Sequence, residues 1–123
     1  MIHQPARAEP KVVAPTGRLD ASAAPRLRQE IATVLAQGTN RIVVNLSAVP
    51  YLSSSILRVL LTAHKNARQA GGGLVLCSLQ PQVLRMVKTI GFDRIFAICE
   101  SEDEARSAVA LMSQDAAREK ERP

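Results

Sequence analysis

At 123 residues the chain has room for one domain and little more. Hydrophobic residues make up 46% of it, enough for a packed core, yet aromatics are only 2%; the core must be aliphatic, and the stacking platforms that single-stranded nucleic acids need are missing. The net charge of +5 is spread along the chain with no basic run, while four acids crowd at Glu100, Glu102, Asp103 and Glu104, which argues against a nucleic-acid partner.

No apolar stretch is long enough for a signal peptide or a membrane span, so no membrane insertion and a cytoplasmic location are expected. Cys77 and Cys99 each lie in an apolar run without a CxxC or a neighbouring histidine, and read as buried free thiols. No metal-ligand spacing and no phosphate loop stands out, so no cofactor and no metal are expected.

In chain order, Ile2 to Glu9 is weakly patterned, and Pro5 suits an edge strand. Lys11 to Pro15 reads as a second strand, and Gly17-Arg18-Leu19-Asp20 turns the chain. Asp20 or Ser22 can cap a helix over about 23–37, whose inward stripe is Leu27, Ile31, Val34 and Leu35; Gly38 ends it. Arg41 to Leu46 is a β-branched run suited to a strand buried on both faces. A loop over 47–52 leads to three serines and a second helix with Leu57, Leu60, Leu61 and His64 on one stripe, closed by Gly71 to Gly73. Leu74 to Leu79 is another buried strand. Pro81 opens a third helix with Val83, Leu84, Val87 and Ile90 inward, and Gly91 closes it. Ile95 to Cys99 is a further strand. The last helix starts near Glu102, with an acidic first turn and an apolar face of Ala105, Ala108, Val109 and Met112.

Alternation of strands and helices predicts an α/β fold with a mostly parallel sheet and about four helices. The first strand is joined to the second by too few residues for a crossover, so it is expected to pair antiparallel. The domain should cover residues 1–115, with a charged tail over 116–123.

The stretch from Val49 to Leu61 carries the most information. Ser53, Ser54 and Ser55 stand where a loop opens a helix. One serine, Ser53 by position, suffices as the cap. The other two would then stand at a helix start, where free backbone N–H groups and the dipole favour a phosphate. His64, on an inward stripe, reads as a core or boundary residue, and Met86 and Met112 likewise. Gly71 to Gly73 follows a helix and precedes a strand, the wrong order for a phosphate loop.

Gly17-Arg18-Leu19-Asp20, the run Asn45 to Val49 and the block Tyr51 to Leu61 resemble the STAS domain of bacterial anti-sigma factor antagonists. The resemblance spans about residues 11 to 112 and implies the STAS fold. The family block reads aromatic, aliphatic, Asp, Ser, Ser or Thr, Gly, Leu. Laid on this chain it makes Ser55 the phosphorylated hydroxyl, with Ser54 and Ser53 as alternatives. Ser53 replaces the Asp, Ile56 the glycine, and Asn45 an Asp common at the strand end. Ile56 would either obstruct a kinase at this turn or add a contact of its own. Asp20 matches an Asp near the acceptor, beside its other reading as a helix cap. Tyr51 and Arg58 complete the expected partner-facing set, although a solvated arginine is the plainer reading of Arg58; Arg85 and Lys88 on the third helix are further partner-surface candidates.

The resemblance implies a non-enzymatic switch. Unphosphorylated, such an antagonist binds an anti-sigma factor that is also a serine kinase of histidine-kinase-like ATPase fold, and so frees a sigma factor. Phosphorylation releases it, and a metal-dependent serine phosphatase restores it. The alternative is a STAS scaffold subunit of a signalling or transporter complex with no phosphorylation cycle, which Ile56 would favour. An enzyme on a similar sheet is the weakest reading, since no cofactor loop or redox pair is present.

Overall fold

The computed structural model describes residues 10–112. The edge strand expected over 2–9, with its antiparallel pairing, and the tail from 116 lie outside the described residues.

Four strands form one sheet in the order β1 (Lys11–Val13), β2 (Arg41–Asn45), β3 (Gly73–Cys77) and β4 (Ala97–Cys99). All described pairings are parallel: Val12 lies opposite Val43, Val43 opposite Val75, and Cys77 opposite Cys99. Each parallel step needs a crossover, and the helices α1 (Ala24–Ala36), α2 (Ser54–Gln69) and α3 (Pro81–Ile90) supply them. The final helix is α4 (Glu102–Ala110).

Alternation along the strands sorts the core into two layers. Ile42, Val44, Leu74 and Leu76 pack with Leu27 and Ile31 of α1, Ile56, Leu57 and Leu60 of α2, and Val83 and Val87 of α3. Val43, Val75 and Cys77 face the other way and meet only Ala105 and Val109 among the buried residues of α4. β2 and β3 are therefore covered on both faces, which explains their unbroken apolar runs. Two fasteners hold α4 down. Asn45 Nδ2 donates to Glu102 Oε1 at 3.0 Å near its start, and the Arg41 guanidinium donates to the Met112 carbonyl at 3.2 and 3.0 Å beyond its end. The Asn45 bond first, and then Arg106, holds the Glu102 carboxyl below its ordinary value.

Several expectations shift in detail. Residues 21–23 form a short 3₁₀ turn ahead of α1. Ile90 is not inward: it is 45% exposed, because Gly91 adopts φ +94° and turns the chain before the last helical turn reaches the sheet. Ile95 is 43% exposed and precedes β4, since the 3₁₀ turn Phe92–Arg94 holds its N–H on the Phe92 carbonyl. Gly72 lies so close to the Asn40 carbonyl that a Cβ there would meet it. Cys77 is a buried free thiol as expected, while Cys99 is free and only half-buried; burial pushes both thiols up.

Candidate functional site at the start of the second helix

The carboxyl ends of parallel strands gather the loops that follow them, and here two such loops are zipped together. Gly17 N–H donates to the Ala48 carbonyl, Leu19 N–H to Tyr51, and Ser53 N–H to Leu19, each at 2.9 Å. Leu19 and Leu52 form an isolated parallel bridge and are both buried, so apolar pins lie beneath the zip. From the other side Gln80 Nε2 donates to the Ser47 carbonyl at 2.9 Å and Gln82 Nε2 to Pro50 at 3.2 Å. The segment from 47 to 53 is thus anchored on both flanks, and the serines leave it from a fixed platform.

Ser53 occupies the cap position, and its hydroxyl accepts the Ile56 N–H at 3.4 Å. Ser54 and Ser55 are the first two residues of α2. Ser54 is exposed and Ser55 half-buried, and neither hydroxyl has a hydrogen-bond partner among the described residues. As the first residues of the helix, their backbone N–H groups have no intrahelical acceptor.

Ile56 departs from its expected role. It is 0% exposed and packs in the main core, so its side chain neither obstructs the turn nor reaches a partner. Arg58, one turn on from Ser55, is exposed and has no ion pair among the described residues. The Tyr51 ring, 36% exposed, lies under the Arg18 guanidinium, whose central carbon is 4.2 Å from the ring centroid. That cation–π pair links the two zipped loops at the surface. Asp20 is exposed, and its carboxylate accepts the Ser22 hydroxyl at 2.7 Å, the main reason its pKa is lowered. It reaches no serine of the 53–55 run by hydrogen bond. It flanks the site at the start of the 3₁₀ turn without a capping bond from its side chain.

Between α1 and α2 runs a groove of about 430 Å³ with Ser55 at its wall, together with Arg58 and Arg28. Arg28 has no role in the sequence pattern, and Arg18 stands there only as part of the turn. Both depend on contacts between segments distant in sequence, and a single chain carries no local signal for them. His64 accepts the Leu74 N–H at 3.1 Å through Nδ1 and meets the Phe96 ring at a tilt of 56°, a boundary role. Among the described residues no group of three or more His, Cys, Asp or Glu could hold a metal, and no helix is long and apolar enough to cross a membrane.

Residues 2–105 match the family model described as the STAS domain. The chain belongs to the STAS domain family. It is 37% identical over 92 residues to BtrV of Bordetella bronchiseptica, named as a candidate anti-sigma factor antagonist, a match covering 75% of this chain and 79% of the relative. A crystal structure of a candidate anti-sigma factor antagonist from Thermotoga maritima aligns with a TM-score of 0.73 at 29% identity, over 80% of this chain and 86% of that one. The crystal structure of an anti-sigma factor antagonist from Mycobacterium paratuberculosis gives 0.71 at 30% identity, over 80% and 83%. The resemblance read from the loop and the serine block therefore holds for the family and for its fold. Within this STAS domain, Ile56, which the resemblance sets at the family's glycine, is part of the core.

Proposed function

We propose that this STAS protein is an anti-sigma factor antagonist switched by phosphorylation of Ser55. Unmodified, it binds an anti-sigma factor that is also a serine kinase of histidine-kinase-like ATPase fold, which frees a sigma factor. The observation that carries this reading is the pair of unpartnered hydroxyls, Ser54 and Ser55, at the first turn of α2 on a doubly anchored loop. Ser53 is already engaged as the cap, which leaves Ser54 as the runner-up. The relatives' names support the antagonist role. With Ile56 in the core, the departure that favoured a scaffold subunit no longer does so.

In the transfer, the Ser55 Oγ forms a P–O bond to the γ-phosphorus of ATP as the β,γ-bridging bond breaks. ADP leaves, and the hydroxyl proton passes to a base of the kinase. The product adds about −1.5 to −2 charges where a neutral hydroxyl stood. Its own domain tolerates it, because helix-terminal N–H groups face it. Desolvating it in an interface would be costly, so binding is lost while the fold persists. A metal-dependent serine phosphatase reverses the step.

Incubation with the cognate kinase and ATP, followed by peptide mass spectrometry, should give one phosphate, on Ser55. Ser55→Ala should bind the kinase as the unmodified protein does and stay bound with ATP, and Ser55→Asp should bind much more weakly. Both should keep stability within about 0.5 kcal/mol. A phosphate on Ser54 alone, or normal binding by Ser55→Asp, refutes the assignment.

A further inference from the structure

We propose that Arg28 and Arg58 clamp the phosphoryl group once Ser55 carries it, so that phosphorylation withdraws two cations from the surface as well as adding an anion. The inference rests on Ser55 being the acceptor. Ser55 and Arg58 are three positions apart on α2, the spacing that puts two side chains on one helix face. Arg28 projects from α1 into the same groove. Neither guanidinium has a hydrogen bond or ion pair among the described residues, and both are exposed. No Asp or Glu lines the groove, and the two arginines are its only charged lining groups.

Two uncompensated positive charges therefore flank one half-buried hydroxyl. The rest of the wall is mainly aliphatic, from Ala24, Ile31, Val59 and Ala63 among others, so no other charged lining group competes with the arginines for the phosphate. The planar donor fork of arginine suits phosphate oxygens, and charge-assisted bonds of this kind are about twice as strong as neutral ones. In the unmodified protein the same arginines are free to meet an acidic partner surface. After transfer they turn inward to the phosphate, and the partner loses them.

The test places phosphoserine at position 55 during translation, without any kinase, and follows its ³¹P resonance through a pH titration. An exposed phosphoserine has its second ionisation near about 6. In the wild-type background it should fall by about half to one unit, because two cations favour the dianion. Arg28→Gln and Arg58→Gln should each remove part of that shift and the double variant most of it, leaving what the helix-terminal N–H groups supply. Arg26→Gln, on the same helix but outside the groove, should leave it in place. Equal titration of wild type and double variant overturns the clamp. So does a double variant that slows phosphorylation by the kinase while titrating like wild type, since the arginines would then serve the incoming nucleotide. Because the phosphate is installed directly, this outcome is separate from whether a kinase chooses Ser55, which the peptide mapping decides.

Discussion

Restoring the family's glycine at position 56 should damage this protein. Ile56 is 0% exposed and packs in the cluster that α1, α2 and α3 form on the sheet. Truncating a buried isoleucine to alanine costs about 2–5 kcal/mol, part lost transfer energy and part residual cavity. Glycine in place of alanine inside a helix adds about 1 kcal/mol. Ile56→Gly should therefore lose about 3–6 kcal/mol, a large share of the 5–15 kcal/mol typical of a domain. At about 4–8 °C per kcal/mol, Tm should fall by about 12 °C or more. Ile56→Val, which leaves most of the volume, should cost only about 0.5–1.5 kcal/mol. Urea unfolding followed by circular dichroism on the three proteins measures this. If Ile56→Gly unfolds within about 0.5 kcal/mol of wild type, the side chain does not fill the core and its removal from the partner surface is wrong.

Gly72→Ala should destabilise by about 1–3 kcal/mol in the same assay, because its Cβ would meet the Asn40 carbonyl, which is backbone and cannot swing away. Ser53→Ala should cost only about 0.5–1 kcal/mol, the lower end for a lost cap, since its bond to the Ile56 N–H is long at 3.4 Å. Asn45→Asp should lower Tm at neutral pH, because a carboxylate would replace the amide that now donates to Glu102. The pH dependence has a definite sign. The Glu102 carboxyl lies below its ordinary value, so its stabilisation is present above the ordinary carboxylate pKa and lost as pH falls through the lowered one. Thermal melts should show the gap between Asn45→Asp and wild type narrowing below about pH 4.

The helices were legible because each puts a stripe of aliphatic residues at helical spacing, and β2 and β3 because both faces are covered. Periodicity failed where a helix ended. Ile90 keeps the phase of Val83 and Val87, but the left-handed Gly91 diverts the chain, and phase alone does not reveal that. Ile95 has strand propensity yet is held in a turn by a backbone bond to Phe92, which outweighs it. At the site, Ser53 as the cap followed from local chemistry. The burial of Ile56 did not, because one residue of a helix start can point to core or solvent according to how the loop enters. The zip between 17–19 and 48–53 set that entry, and it joins segments no local pattern connects. Arg28 was missed for the same reason: it flanks an apolar stripe as many surface arginines do, and only the packing of α1 against α2 brings it to Ser55.

α4 is the sole described helix on its side of the sheet. Its nine residues would not stay helical in isolation. It persists through a small apolar patch and two polar fasteners, so it should be the first element to come away in native-state fluctuations, and its amides should exchange ahead of those in β2 and β3. Cys77 lies beneath it, fully buried, with a thiol that burial pushes up. A thiol reagent can reach that sulfur only while the helix is lifted, which makes Cys77 a built-in timer of the opening. The serine site belongs to the opposite layer, behind an intact pair of central strands. The rate of Cys77 labelling in the modified and unmodified protein would thus measure how far the sheet insulates one face from events on the other.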